Sequence, residues 1–229
     1  MSTEIKLLSA GAVQPGLVKV TDIFRRKTGH EVSINYATAA AIRKRIDDGE
    51  KIDVVIAPPD LLDELVQAGK ANPDSITVGR IGVGVMVRDG AAVPKIATVE
   101  EFRQSLLNAE SIVYNQASTG VYLEGLFDRL GIDDHLKAKT TRYPDFAAVL
   151  DHVRKGHGVE IGFGATTVII ESASKVVKFV GPLPADIQNY TTYAAMALTD
   201  GAVANAAHAL VHFMTNHAAK NLFKAAGID

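Results

Sequence analysis

The sequence has no cysteine, which excludes disulfides and thiolate metal sites and leaves either redox compartment open. It has no apolar run of about 18 residues, so no transmembrane helix is expected. It has little excess charge of either sign: 24 Lys and Arg stand against 26 Asp and Glu, a formal net charge of −2. A nucleic-acid-binding surface would be strongly basic, so that class is disfavoured. The opening residues, MSTEIKLLSAGAVQPG, hold no basic stretch followed by an apolar one and a small-residue cleavage site. No secretory signal is therefore visible. The expectation is a cytoplasmic protein, or a periplasmic one that begins after a removed signal. Internal repeats, low-complexity tracts and long linkers are also missing.

What is present is the composition of an ordinary globular chain. Its 229 residues, 47% hydrophobic and 22% charged, suffice for a well-buried core in one large domain or two small ones. Short apolar runs alternate with helical patterns, which predicts an α/β fold with mainly parallel strands. Strands are expected at 5–8, 32–36, 54–57, 81–87, 111–114, 160–163, 176–180 and 194–198. Val13, Leu17, Val20 and Phe24 recur at spacings of three or four and predict a helix from about Gln14 to Lys27. Others are expected at 39–48, from Pro59 to Gly69, after a capping box of Thr98 and Glu101, at 120–130, and at 146–155 behind Asp145. The Ala-rich C-terminal third reads as helical from about 201 to 226. The all-apolar IGVGVMV strand could cross between two lobes, with GPLPADIQNYTTYAAMAL as the return. That division gives one lobe of roughly 1–80 plus 195–229 and a second of 81–194.

Four predicted helices begin just after a strand or turn with small residues, near Gly11-Ala12-Val13, Thr38-Ala39-Ala40, Ser118-Thr119-Gly120 and Asp145-Phe146. In parallel α/β sheets, ligands sit at the carboxyl ends of strands. Free amides and the helix dipole favour an anion there. Each turn alone is better explained by a tight strand-to-helix connection; several in one chain point to a ligand site.

The stretches IKLLSAGAVQPGL, YATAAAIRKRIDDGEKIDVVIAPPDLLDELVQAGK, STGVYLEGLFDRLGI and NLFKAAGI, in that order over nearly the whole chain, resemble the molybdate-binding solute receptors of ABC transporters. These are periplasmic-type binding proteins of the second structural class. The resemblance implies two α/β lobes, two hinge crossings and a ligand cleft, with no cofactor. It also implies a small anionic ligand and, for an exported protein, a transporter permease as partner. The departures from the family pattern fall on its ligand positions. Hydroxyl residues are expected at the first two helix starts, where this chain has Ala12 and Ala39, and a tyrosine of the second lobe falls near Gly164. A charge-assisted hydrogen bond contributes roughly 1.5–3 kcal/mol, so losing three donors weakens oxyanion binding by several powers of ten. The expected ligand is thus an organic anion, a carboxylate rather than molybdate.

On that view Ala12, Val13, Ala39 and Ala40 offer backbone N–H groups, and Thr38, Ser118 and Thr119 offer hydroxyls. Thr38 serves equally well as an N-cap, and Tyr122 equally well as a half-buried packing residue. Arg80 and Arg142 could clamp a carboxylate in a bidentate manner or simply be solvated. His208 and His212 have the four-residue spacing of a metal pair but no acidic third ligand at hand, so no metal is expected. GHGVEIGFG lacks the order of a phosphate loop. Two readings follow. The first is a non-catalytic receptor. The second is an isomerase of an unsaturated polycarboxylate, of the aconitate isomerase kind found among the family's relatives. It would work by proton transfer, with Tyr122, His157 or Glu160 as the base.

Overall fold

The computed structural model describes residues 3–173, 176–198 and 203–229. The chain divides into two compact units, Met1–Ile81 with Thr191–Asp229, and Gly82–Tyr190.

In the first unit, strands β1 (Glu4–Ala10), β2 (Glu31–Ala37) and β3 (Val54–Ala57) are parallel, in the order β2-β1-β3. Strand β9 (Tyr190–Ala197) runs antiparallel beside β3. Helix α1 (Gln14–Thr28) buries Leu17, Val20 and Phe24, the stripe its periodicity predicts, and ends at Gly29 in the left-handed conformation. Helix α2 (Ala39–Asp47) turns Ile42 and Ile46 inward. Its basic residues point outward, with Lys44 pairing Asp48 at 2.7 Å and Arg43 pairing Glu64. Helix α3 (Pro59–Gln67) buries Leu61, Leu62 and Leu65. Asp53, just before β3, accepts the Lys6 N–H through its carboxylate at 2.8 Å and donates its own N–H to the Lys6 carbonyl at 2.9 Å. It thereby fastens β3 to β1.

Strand β4 (Ile76–Arg88) carries the chain from the first unit into the second, and β9 brings it back. In the second unit β4 is flanked by β8 (Val177–Pro182) and β7 (Glu160–Ala165), both antiparallel to it. Beyond β7 lie the parallel strands β5 (Ser111–Asn115) and β6 (Thr140–Tyr143). One core cluster joins Phe102 and Leu106 of α4 (Val99–Asn108), Leu123, Leu126 and Phe127 of α5 (Ser118–Arg129), and Leu136 of α6 (Asp133–Leu136) to Ile112, Tyr114 and Phe163 of the sheet. A second cluster sets Val149 and Val153 of α7 (Phe146–Lys155) and Ile169 of α8 (Thr166–Ala173) against Met86 and Val113.

Several elements differ from expectation. Strand β6 and helices α6 and α8 were not expected, and β4 begins at Ile76 rather than Ile81. The C-terminal region is two helices, α9 (Ala204–Phe213) and α10 (His217–Ala225), not one. The Asn216 side chain accepts the Ala219 N–H at 2.8 Å and starts the second helix. Residues 201 and 202, the expected start of the single helix, lie outside the described residues.

Candidate functional site

Within the first unit, parallel pairing sets Ala10 of β1 beside Ala37 of β2. The starts of α1 and α2 therefore follow from neighbouring strand ends. Gly11–Val13 forms a short 3-10 turn with no side-chain cap, and Val13 is buried at the N-cap of α1, again without one. At α2 the Thr38 hydroxyl accepts the Ala41 N–H at 3.3 Å. The threonine is thus an N-cap, and the first-turn amides of Ala39 and Ala40 lie ahead of any intrahelical acceptor. Ala12 and Ala39 put only methyl groups beside these amides.

Within the second unit, Asn115 of β5 pairs with Tyr143 of β6, which brings the starts of α5 and α7 to one end of the sheet. Helix α5 has no side-chain cap. The Asn115 carboxamide accepts the Ala117 N–H at 3.3 Å and so shapes the turn. Nothing in the sequence had singled out Asn115; its only signal is an Asn directly before a run of small residues. Ser118 and Thr119 are half-buried on the first turn. Gly120 is needed because the helix presses on the strand: a Cβ there would lie 1.9 Å from the Asn115 carbonyl oxygen. The α7 start differs. The Asp145 carboxylate accepts the Ala148 N–H at 2.9 Å, so this helix terminus already holds an anion of its own. Its next residue, Phe146, lays its ring where Gly164 of β7 lacks a side chain. A Cβ on Gly164 would come within 2.4 Å of the ring.

Other expected contacts are occupied. The Tyr122 hydroxyl donates to the Ile187 carbonyl at 2.6 Å, and its ring lies under the Arg129 guanidinium. Arg142 pairs with Glu124 at 2.7 Å. Arg80 is exposed on β4, and its backbone N–H and carbonyl both pair with Asp229, at 2.7 and 3.1 Å. Tyr114, beneath Gly120, is buried, and this pushes its phenol up to about 12, with the Glu124 carboxylate acting in the same direction. The remaining base candidates sit at the other end of the strands. Glu160 opens β7 and accepts the Gly158 N–H at 2.8 Å, and His157 is exposed in the preceding loop. Gly164 lies four positions along the strand from Glu160, roughly 13 Å. His208, His212 and His217 are exposed, and among the described residues no three His, Asp or Glu side chains gather to hold a metal ion. Among those residues no helix is long and apolar enough to cross a membrane.

The chain has relatives of known kind. The model of the family described as bacterial extracellular solute-binding protein matches residues 5–229. An aconitate isomerase from a Pseudomonas species is 28% identical over 99% of this chain and 87% of its own length. Among solved structures, the periplasmic molybdate-binding protein of Azotobacter vinelandii is 20% identical and superposes with a TM-score of 0.81, covering 98% of both chains. A sulfate-binding protein of Mycobacterium tuberculosis is 21% identical with a TM-score of 0.80, covering 99% of this chain and 86% of its own. These last two likenesses speak for the fold.

Proposed function

The chain belongs to the bacterial extracellular solute-binding protein family, and we propose that the solute it binds is a small organic carboxylate rather than molybdate or sulfate. The observation that carries this reading is the make-up of the helix starts. In the first unit the donors we assign to the ligand are the first-turn amides of Ala39 and Ala40 behind the Thr38 cap, with alanine methyl groups beside them. In the second unit Ser118 and Thr119 are the hydroxyls, and Phe146 covers Gly164. A small tetrahedral dianion needs a dense shell of donors, and each missing donor costs it a charge-assisted bond. A carboxylate needs fewer donors and gains from apolar surface. Similar solved structures from ABC transporters of Clostridium difficile and Geobacter sulfurreducens support a permease as the partner of an exported form.

The aconitate isomerase likeness favours a second reading, in which the bound acid is also isomerised. It would need a base other than the three candidates. The Tyr122 hydroxyl donates its hydrogen bond to the Ile187 carbonyl, and Glu160 and His157 belong to the far end of β7. The receptor reading therefore stands first.

Isothermal titration with trans-aconitate, citrate, molybdate and sulfate tests the proposal, together with mass spectrometry of whatever leaves the freshly purified protein on denaturation. Micromolar or tighter binding of a carboxylate, with the inorganic anions at least 100-fold weaker, is expected. Submicromolar molybdate binding would overturn it. Exchange of solvent deuterium into bound trans-aconitate would move the isomerase reading ahead.

A further inference from the structure

We propose that His208 and His212 form an open two-ligand site for a late first-row divalent cation, Cu²⁺ before Ni²⁺ or Zn²⁺, on the solvent face of helix α9. Both residues lie inside one continuous helix, Ala204–Phe213. Residues four apart on a helix are surface neighbours, with Cβ atoms about 5–6 Å apart, so two imidazoles can close on one ion. The helix is held from beneath. Ala206, Ala207, Leu210 and Val211 are buried, and Phe213 meets Phe24 of α1 edge to face, with ring centroids 5.4 Å apart. The backbone that spaces the two histidines is therefore set before any ion arrives, which lowers the cost of binding.

Packing does not account for the two rings, because the buried stripe of α9 is complete without them. Both histidines are exposed, beside the small exposed residues Asn205 and Ala209, which leave the rings room to turn towards each other. Imidazole is a common ligand for these ions, and the affinity of nitrogen sites peaks at Cu²⁺. A structural or catalytic zinc centre takes three or four protein ligands, and no such set gathers among the described residues. Two ligands leave the remaining positions to water, so the ion is held exchangeably. His217, the first residue of α10, lies beyond the break that Asn216 caps and is not part of the pair. The site is separate from the proposed solute site. Phe24, on which α9 packs, lies ten residues along α1 from Gln14, about 15 Å from the start of that helix.

Titration calorimetry of the untagged chain with CuCl₂, NiCl₂ and ZnCl₂, in a buffer free of chelators, tests the proposal. Each ion is expected to bind at one dominant site, Cu²⁺ most tightly. The variants are then compared with NiCl₂. His208→Ala and His212→Ala are each expected to weaken binding about 100-fold, because the second imidazole closes on the ion within the same molecule. His217→Ala should bind like the wild type. Spacing supplies the sharper comparison. In the His208→Ala background, Ala209→His restores two imidazoles three residues apart on one face and is expected to recover most of the affinity. Asn205→His in the same background restores two imidazoles seven residues apart, about 10.5 Å along the axis, and is expected to recover none. Unchanged circular dichroism and a cooperative melt establish that each variant is folded. A wild type that binds none of the three ions, single variants that bind Ni²⁺ as the wild type does, or equal rescue at the two spacings would overturn the inference and leave the proposed solute untouched.

Discussion

Single residues here are fixed by contacts whose removal has a calculable sign. Gly120→Ala would drive a methyl group into the Asn115 carbonyl oxygen. Backbone cannot rotate away as a side chain can, so a loss of at least about 3 kcal/mol is expected, read as a lower urea midpoint. Gly125, on the same helix, has no backbone near its missing Cβ, so Gly125→Ala should stabilise by roughly 0.5–1 kcal/mol. The two variants together separate crowding at the strand end from helix propensity. Tyr114 gives the pH dependence. Its folded-state value of about 12 lies above the ordinary 10.0, so the folded protein holds the proton after the unfolded chain has released it. Stability is complete below about pH 10 and falls towards pH 12 by roughly 3 kcal/mol. Tyr114→Phe should flatten that fall in urea titrations at successive alkaline pH values. Neither contact could be foreseen from sequence. A glycine after Ser-Thr looks like a ligand loop, and only the approach of helix to strand shows what it is for.

At the level of elements, the legible parts were those with a local cause. Thr98 caps α4 with its hydroxyl on the Glu101 N–H at 3.1 Å. The Glu101 carboxylate reaches back to the Ala97 N–H at 3.0 Å, one residue ahead of the cap. The α1 stripe and the α3 start were equally plain. The missed elements draw their stability from tertiary partners. Strand β6, TTRY, has no apolar run because it is an edge strand. Helix α8, TTVIIESA, is β-branched and apolar and so resembles a strand by propensity; packing of Ile169 overrides that. The break between α9 and α10 turned on one Asn in an Ala-rich, His-rich tract. Its cap is testable. Asn216→Ala should lower stability by about 1 kcal/mol, and Asn216→Asp should restore most of it. Thermal melts that leave the two variants equal would mean the break is set by packing rather than by the cap. Thr38→Ala carries a similar cost at α2. Because the hydroxyl of Thr38 lies beside the amides of Ala39 and Ala40, the variant also bears on ligand affinity. A melt without ligand and a titration with it distinguish the two effects.

For the whole molecule, the two passages of the chain between its units concentrate the interest on β4. On the first-unit side, Arg80 is held through both backbone groups by Asp229, and Gly79 leaves room for Ile228 and Asp229 where any Cβ would collide. On the second-unit side, the Gln188 carboxamide donates to the Val83 carbonyl at 3.0 Å and accepts the Val83 N–H at 3.0 Å. It also accepts the Asn189 N–H at 2.8 Å. A side chain thus reinforces backbone pairing in which the Val83 carbonyl accepts the Leu183 N–H at 3.2 Å and the Val83 N–H reaches the Asn189 carbonyl at 3.3 Å. Ile81 and Gly82 lie between these two fastenings. Gln188→Ala should therefore loosen β4 locally: the Val83 amide is expected to exchange with deuterium about tenfold faster, the effect of losing one hydrogen bond of roughly 1.4 kcal/mol. The Arg80 amide and the core amides of β1 should keep their rates. Acceleration everywhere would mean that Gln188 supports global stability. An unchanged Val83 would mean that the Asn189 carbonyl suffices. A saturating ligand is a second lever on the same measurement, because at 100 times its dissociation constant it adds about 2.7 kcal/mol to the folded state. Global openings should then slow in both proteins, while the extra exchange at Val83 should persist in Gln188→Ala, since a local opening that leaves the ligand bound gains nothing from that linkage.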